Sequence, residues 1–285
     1  MIDTRNLLYS IGKKNGFELK DFSPLGGGDI NEVFTVKTDM GKFVVKINQE
    51  QDFPKMFKKE AMGLNLLAEA NVLRVPKAID NGVEENMGYL LLEHISSSGK
   101  PEDFWKNFGV KLAQLHKNSQ PTFGLNYDNY IGSLPQYNQT TTEDPATFFI
   151  EKRLEPQLKL ARENDYKFSG TDSFFKNIQD VIPKEKPALI HGDLWNGNFM
   201  TDETGQACLI DPAVCFAPRE MDIAMMHLFS GFAEELFTAY NQEFKLEDDW
   251  KDRLKIWQLY YLLVHLNLFG ESYYSSVDQI ISHYN

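Results

Sequence analysis

"HGDLWNGNF", residues 191–199, sets a histidine, an aspartate, a tryptophan and two asparagines into nine positions flanked by apolar sequence. Directly after it, "NFM" and "CLID" flank "TDETGQA", which reads as a β-hairpin. A turn at residues 203–206 would pair 202 with 207, 200 with 209 and 198 with 211, so Asn198 is expected to face Asp211. Residues directly opposite in an antiparallel pair have Cα atoms about 4.5–5.5 Å apart. An amide oxygen and a carboxylate at that spacing can share one hard cation. Mg²⁺ is commonly held by one or two such oxygens, with water and substrate phosphate completing the shell.

Asp193 precedes Asn198 by five residues, in the pattern H-x-D-x-x-x-x-N. The catalytic loop of protein kinases has the same internal spacing: its aspartate takes the proton of the acceptor hydroxyl, its asparagine binds a metal, and a later aspartate binds metal at the phosphates. His191, Asp193, Asn198 and Asp211 fill that series in order. A polar loop whose Asp and Asn only cap turns would explain any one of them, but the four together favour the phosphotransfer reading.

The rest of the composition is consistent with this. The 285 residues are 42% hydrophobic and 13% aromatic, enough for one large core or two modest ones. The net charge of -12 argues against a nucleic-acid partner, which requires a basic face. The two cysteines, Cys208 and Cys215, indicate neither a disulfide framework nor a zinc site. No stretch reads as a signal peptide or a membrane span, so a cytoplasmic protein with no membrane partner is expected.

Along the chain the apolar period changes. "EVFTVKT" and "KFVVKIN" alternate around residues 39–41 as a hairpin, 54–70 has helical spacing, and "MGYLLLEHI" (87–95) reads as a buried strand. After the polar stretch 96–103, helices are expected at 103–118, 145–163, 171–181, 220–243 and 248–270, with strands returning only around 190–211. The fold class is therefore α+β: a small β-rich N-terminal lobe, residues 1–95, that binds nucleotide, and a larger, mostly helical C-terminal lobe, 96–285, for catalysis and substrate.

The small lobe supplies the other half of a phosphotransfer site. Lys46 shares a strand face with Val44, opposite Val45, so an ammonium lies next to a side chain able to pack on an adenine ring. In the following helix Met56, Glu60, Leu64 and Leu67 form one stripe, and a carboxylate on an apolar face needs a cation nearby. Lys46 is the expected partner, with a surface pair to Lys58 or Lys59 as the alternative. Gly26, Gly27 and Gly28 precede the hairpin where backbone N–H groups could cover ATP's phosphates, and the backbone of Glu93 and Ile95 is placed to meet the adenine edge.

"GGGDIN", "FVVKIN", "EAMGLNLL", "LLLEHI", "LAQLH", "FGLNYDNYIG", "PQYN", "HGDLWNGNF", "IDPA", "REMDIAM" and "LNLFG" together resemble the fructosamine kinase (ketosamine-3-kinase) family, in the aminoglycoside-phosphotransferase-like branch of the bilobal protein-kinase-like fold. The resemblance covers about residues 22–272. It implies an ATP- and Mg²⁺-dependent kinase for the 3-hydroxyl of a ketosamine such as a ribulosamine or fructosamine, free or protein-bound, whose phosphorylated adduct falls apart and so is removed. Carried over by position, Asp193 is the acceptor-activating base, Asn198 and Asp211 are metal ligands, Lys46 binds phosphate and Glu60 is its partner.

Two stretches depart from the family pattern. Where it reads "YYGDRE" after "DPA", this chain has Val214 to Pro218 and then Arg219-Glu220, and "QTTTED" replaces the tryptophans that follow "PQ-x-N". Both are expected near the acceptor. Trp195 either stacks on the acceptor or packs on the large lobe, and Gln136 and Asn138 are candidate sugar contacts. His116 reads as a structural histidine, and Glu220 and Asp222 as acids suited to a helix N-terminus. The alternatives are a kinase for another hydroxylated amine, such as an aminoglycoside, choline or an amino-alcohol, and a pseudokinase. The last predicts loss of a base or metal residue, and none is missing.

Overall fold

The computed structural model describes residues 3–26 and 30–285 and divides into two compact units. The first is Met1–Gly99 with Met200–Ile210, and the second is Lys100–Phe199 with Asp211–Asn285. The boundary expected after residue 95 thus falls at 99, and the 200–210 stretch groups with the first unit.

In the first unit, helix α1 (Thr4–Lys14) starts on the Asp3 side chain, which accepts from the Arg5 backbone N–H at 3.0 Å. Strands β1 (Leu19–Pro24), β2 (Glu32–Thr38) and β3 (Gly41–Gln49), helix α2 (Met56–Glu69), and strands β4 (Ala78–Glu84) and β5 (Met87–Glu93) follow. The five strands form one sheet in the order β1-β2-β3-β5-β4, and all neighbours are antiparallel. The period of two in "FVVKIN" sorts β3. Val45 and Ile47 join Leu7, Leu8 and Ile11 of α1 with Val36, Tyr89 and Leu91 in a core, while Lys46 turns to the other face and meets α2. Helix α2 starts at Met56 rather than Pro54, because Lys55 is left-handed (φ 60).

The second unit contains α3 (Phe104–His116), the ribbon β6 (Asn129–Ile131) and β7 (Leu134–Gln136), α4 (Pro145–Phe149), a π-helical turn Ile150–Leu154, α5 (Glu155–Glu163), α6 (Thr171–Val181) and β8 (Ala188–Ile190). After β9 (Phe199–Thr201) and β10 (Ala207–Leu209) come β11 (Cys215–Ala217), α7 (Glu220–Leu228), α8 (Glu234–Glu243), α9 (Trp250–Phe269), a 3₁₀ turn Glu271–Tyr273 and α10 (Tyr274–His283). Helix α9 is apolar on nearly every side and lies in the core: Trp257, Tyr260, Tyr261 and Leu263 pack with Phe148, Phe149, Phe174 and Val277. β11 pairs with β8, setting Cys215 opposite Ile190, and the two strands hold both ends of the segment that carries Asp193. Among the described residues no helix is long and apolar enough to cross a membrane.

The β9–β10 turn differs from expectation by one residue. The Asp202 N–H donates to Gln206 O (2.8 Å) and the Gly205 N–H to Asp202 O (3.0 Å), with Gly205 left-handed at φ 82. A three-residue turn with a left-handed glycine sets 202 opposite 206 rather than 207. The register that faced Asn198 with Asp211 is therefore shifted by one. Arg74 fixes this turn within the first unit: its guanidinium contacts Glu203 (2.6 Å), Asp202 (3.2 Å) and Glu93 (2.8 Å), and its carbonyl accepts from the Leu209 N–H (2.9 Å).

Candidate active site

In the first unit the expected ion pair is present. Lys46 Nζ lies 2.7 Å from Glu60 Oε1, with side-chain exposures of only 7% and 12%. Lys46 is thus a buried partner of Glu60. Two little-exposed charges at contact distance fix a cation on a rigid strand, which phosphate binding needs. Val44 lies two residues along the same face, opposite Thr35 on one side and Leu92 on the other. The Glu93 N–H is spent on Lys77 O (3.0 Å) and its carboxylate on Arg74 and the Lys77 N–H. Ile95, two residues on, is buried. Gly26 is exposed in a bend with open space around it. Gly27 and Gly28 lie outside the described residues.

In the second unit "HGDLWNGN" forms the loop after β8. Gly192 is left-handed (φ 83), and a Cβ there would fall 2.1 Å from Ala213 O, so the loop closes against the 211–214 segment only because residue 192 has no side chain. Asn198 Nδ2 donates to Asp193 O (2.8 Å) and Oδ2 (3.0 Å), which leaves Asn198 Oδ1 directed away from Asp193. Asp211 is exposed and left-handed (φ 55), a conformation that Asp tolerates better than most residues. Burial first and the charge of Asp211 second push the Asp193 carboxyl up to about 7, against the Asn198 hydrogen bond, which lowers it. Two carboxylates that repel, with an amide oxygen turned outward beside them, make a hard-oxygen set that fits Mg²⁺, whose charge would relieve the repulsion.

His191 is fully buried, and its Nδ1 accepts from the Asp193 N–H (3.3 Å). The group that braces the loop is Asp222 in α7, whose carboxylate accepts the backbone N–H of His191 and of Gly192, each at 2.8 Å. His116 Nε2 lies 3.2 Å from the same carboxylate, and its Nδ1 2.8 Å from Tyr240 Oη. Burial alone would raise Asp222, but His116, the field of His191 and the Gly192 amide hold it below the usual carboxylate range. Reading Asp222 as a helix-terminal charge missed this role. The available signal was its place in "MDIAM", an apolar setting in which a charge must have dedicated partners.

Gln136 and Asn138 do not reach solvent. Gln136 Nε2 donates to Asn129 Oδ1 and Ala213 O, both at 2.9 Å. Asn138 Nδ2 donates to Asn129 Oδ1 (2.7 Å) and Tyr127 O (3.3 Å), and its Oδ1 accepts from Arg153 (2.7 Å). With both amide hydrogens of each spent, the two residues support the Ala213 segment and leave no donor for a sugar. The departing stretch after "DPA" is likewise internal: Val214, Cys215 and Ala217 are buried, and Arg219 is tied to Glu185 and stacked on Phe244 at 3.8 Å. Trp195 is 38% exposed, its ring folded over Gly197, where a Cβ would fall 2.2 Å away, and edge-on to Phe229.

The fructosamine kinase family model matches residues 1–285. The chain belongs to the fructosamine kinase family. It is 42% identical over 269 residues to a probable ketoamine kinase of Enterococcus faecium, covering 92% of this chain and 94% of that one. It is 35% identical over 279 residues to a chloroplastic protein-ribulosamine 3-kinase of Arabidopsis thaliana, covering 94% and 83%. The crystal structure of a fructosamine-3-kinase candidate from Haemophilus somnus superposes with a TM-score of 0.88 at 29% identity over 97% and 96% of the chains. An aminoglycoside phosphotransferase, APH(4)-Ia, shares the fold at a TM-score of 0.63 and 14% identity.

Proposed function

We propose that the protein transfers the γ-phosphoryl group of ATP to the 3-hydroxyl of a ketosamine such as a ribulosamine or fructosamine. Lys46, held by Glu60, binds ATP's phosphates, and Val44 packs on the base. The acceptor hydroxyl is oriented by Asp193. As its oxygen bonds to the γ-phosphorus, the bond to the bridging oxygen of ADP breaks and the hydroxyl proton passes to the Asp193 carboxylate. Asn198 and Asp211 would hold Mg²⁺, which offsets the negative charge of the phosphates. Asp222 and His116 fix the backbone from which Asp193 extends.

The observation that carries this reading is the Asn198–Asp193 contact beside Asp211, a carboxylate base held within a metal-type oxygen set. Family membership and the relatives named for ketoamine and ribulosamine support the acceptor class. Because its 3-phosphate is prone to eliminate, the product is expected to release the free amine, so the activity amounts to deglycation.

ATP consumption against a panel of ribulosamines, fructosamines, aminoglycosides and amino-alcohols tests this directly. Turnover restricted to the ketosamines is expected. Turnover restricted to aminoglycosides or amino-alcohols would transfer the reading to another hydroxylated amine, and Mg·ATP binding with no turnover at all would leave a binding module.

A further inference from the structure

Beyond Asp193 the second unit carries a row of rings that the phosphotransfer step does not use. Trp195 meets Phe229 edge-on at 6.5 Å, Phe229 lies 4.9 Å from His265, and His265 lies 5.5 Å from Phe269 and 5.2 Å from Tyr273. Trp195 and Phe269 are exposed, at 38% and 53%, and the rings between them are half-buried. The row is held against the catalytic loop by the turn between α7 and α8. Ser230 and Gly231 are both left-handed, and Gly231 packs on Asn196, the neighbour of Trp195.

The chemistry of the strip is specific. His265 Nδ1 lies 2.7 Å from Tyr261 O, and a carbonyl only accepts, so Nδ1 carries the hydrogen and Nε2 presents a lone pair. Burial pushes the imidazole below its ordinary value, which keeps it uncharged near neutral pH. The strip therefore offers aromatic faces, which attract an ammonium, an uncharged acceptor for its N–H, and apolar ring surface for methylenes.

The geometry points to Trp195, Phe229, His265, Phe269 and Tyr273 as the subsite for the amine arm of the acceptor, reading a lysine-type alkylammonium stem. This rests on the ketosamine reading above and adds to it the part of the substrate that lies beyond the sugar. The stem attaches at the carbon chain that Asp193 must address, and the strip begins two residues from Asp193 and ends at the most exposed ring, Phe269. A stem running outward along it leaves room for a peptide at its far end.

The test is calorimetric titration of the whole protein with N-methyl and N-butyl ribulosamine and with a tripeptide whose lysine carries the same sugar, alongside their turnover with Mg·ATP. Burying a methylene fully strengthens binding about four-fold. On half-open rings roughly two-fold each is expected, or about eight-fold from methyl to butyl. The tripeptide is expected to match the butyl adduct. In Phe269→Ala, whose side chain is exposed enough to leave the core intact, the butyl-to-methyl ratio should fall toward one, and in His265→Phe all three adducts should weaken. Equal affinity of wild type for methyl and butyl, an unchanged ratio in Phe269→Ala, or a tripeptide weaker than the methyl adduct would each overturn the assignment. Length-dependent binding without turnover of any adduct removes the proposed reaction and keeps the subsite. Turnover without length dependence does the reverse.

Discussion

Asp222 accepts both the His191 and the Gly192 backbone N–H at 2.8 Å, one with each oxygen, and so fixes the peptide from which Asp193 extends. An amide at 222 has one acceptor oxygen for these two donors and would turn an NH₂ toward the other. Asp222→Asn is expected to lower stability by about 1.5–3 kcal/mol, the value of one charge-assisted bond. Its kcat should fall at least about 100-fold, because a displacement near 1 Å at the base is that costly. Chemical denaturation and steady-state rates check both.

The same carboxylate sets a pH dependence. Its folded pKa lies below the unfolded value of about 3.9. Its contribution to stability is therefore fully present above that value and is lost as pH falls through the folded one. The wild type should lose more stability than Asp222→Asn on acidification below about pH 4, read from denaturant midpoints. Parallel acid limbs would contradict this.

Lys46 and Glu60 are nearly excluded from water, so removing either one breaks a buried charge pair. Glu60→Ala should cost about 3 kcal/mol and raise KM for ATP. Lys46→Ala should lower kcat/KM for ATP by about 100-fold or more. Differential scanning calorimetry and ATP titrations report on the two effects separately.

In the proposed function Asn198 and Asp211 would hold Mg²⁺. Asp211→Asn is expected to raise the Mg²⁺ concentration for half-maximal activity by about ten-fold or more, since it removes the single anionic ligand of the pair. Chelation should abolish turnover and leave the thermal midpoint without nucleotide unchanged. An unaltered Mg²⁺ requirement in Asp211→Asn would remove Asp211 from that role.

Much of this was legible in the sequence because it depends on local spacing. H-x-D-x-x-x-x-N brings Asn198 back onto Asp193, period two puts Lys46 opposite Val45, and helical spacing brings Glu60 to Lys46. What failed depended on partners distant in sequence or on single backbone angles. Gln136 and Asn138 have a loop composition, yet Asn129, Tyr260 and Arg153, far apart in the chain, bury their amides. Helix 220–243 splits because Ser230 and Gly231 turn left-handed, and helix 145–163 contains a π-helical turn that an apolar period does not register. β4 leaves no signal in the sequence because its side chains are half-buried on both faces and show no alternation. The brace by Asp222 joins positions some thirty residues apart, so the apolar setting of "MDIAM" signals that the charge has partners without naming them.

With Asp193 proposed as the base of a phosphoryl transfer, Asp193→Asn is the decisive variant, because the amide fills the same space but cannot take the proton. Single-turnover transfer from Mg·ATP to a ribulosamine should slow by about 10²–10⁴-fold, with ATP affinity and thermal stability retained. Transfer at the wild-type rate in Asp193→Asn would rule out Asp193 as the base.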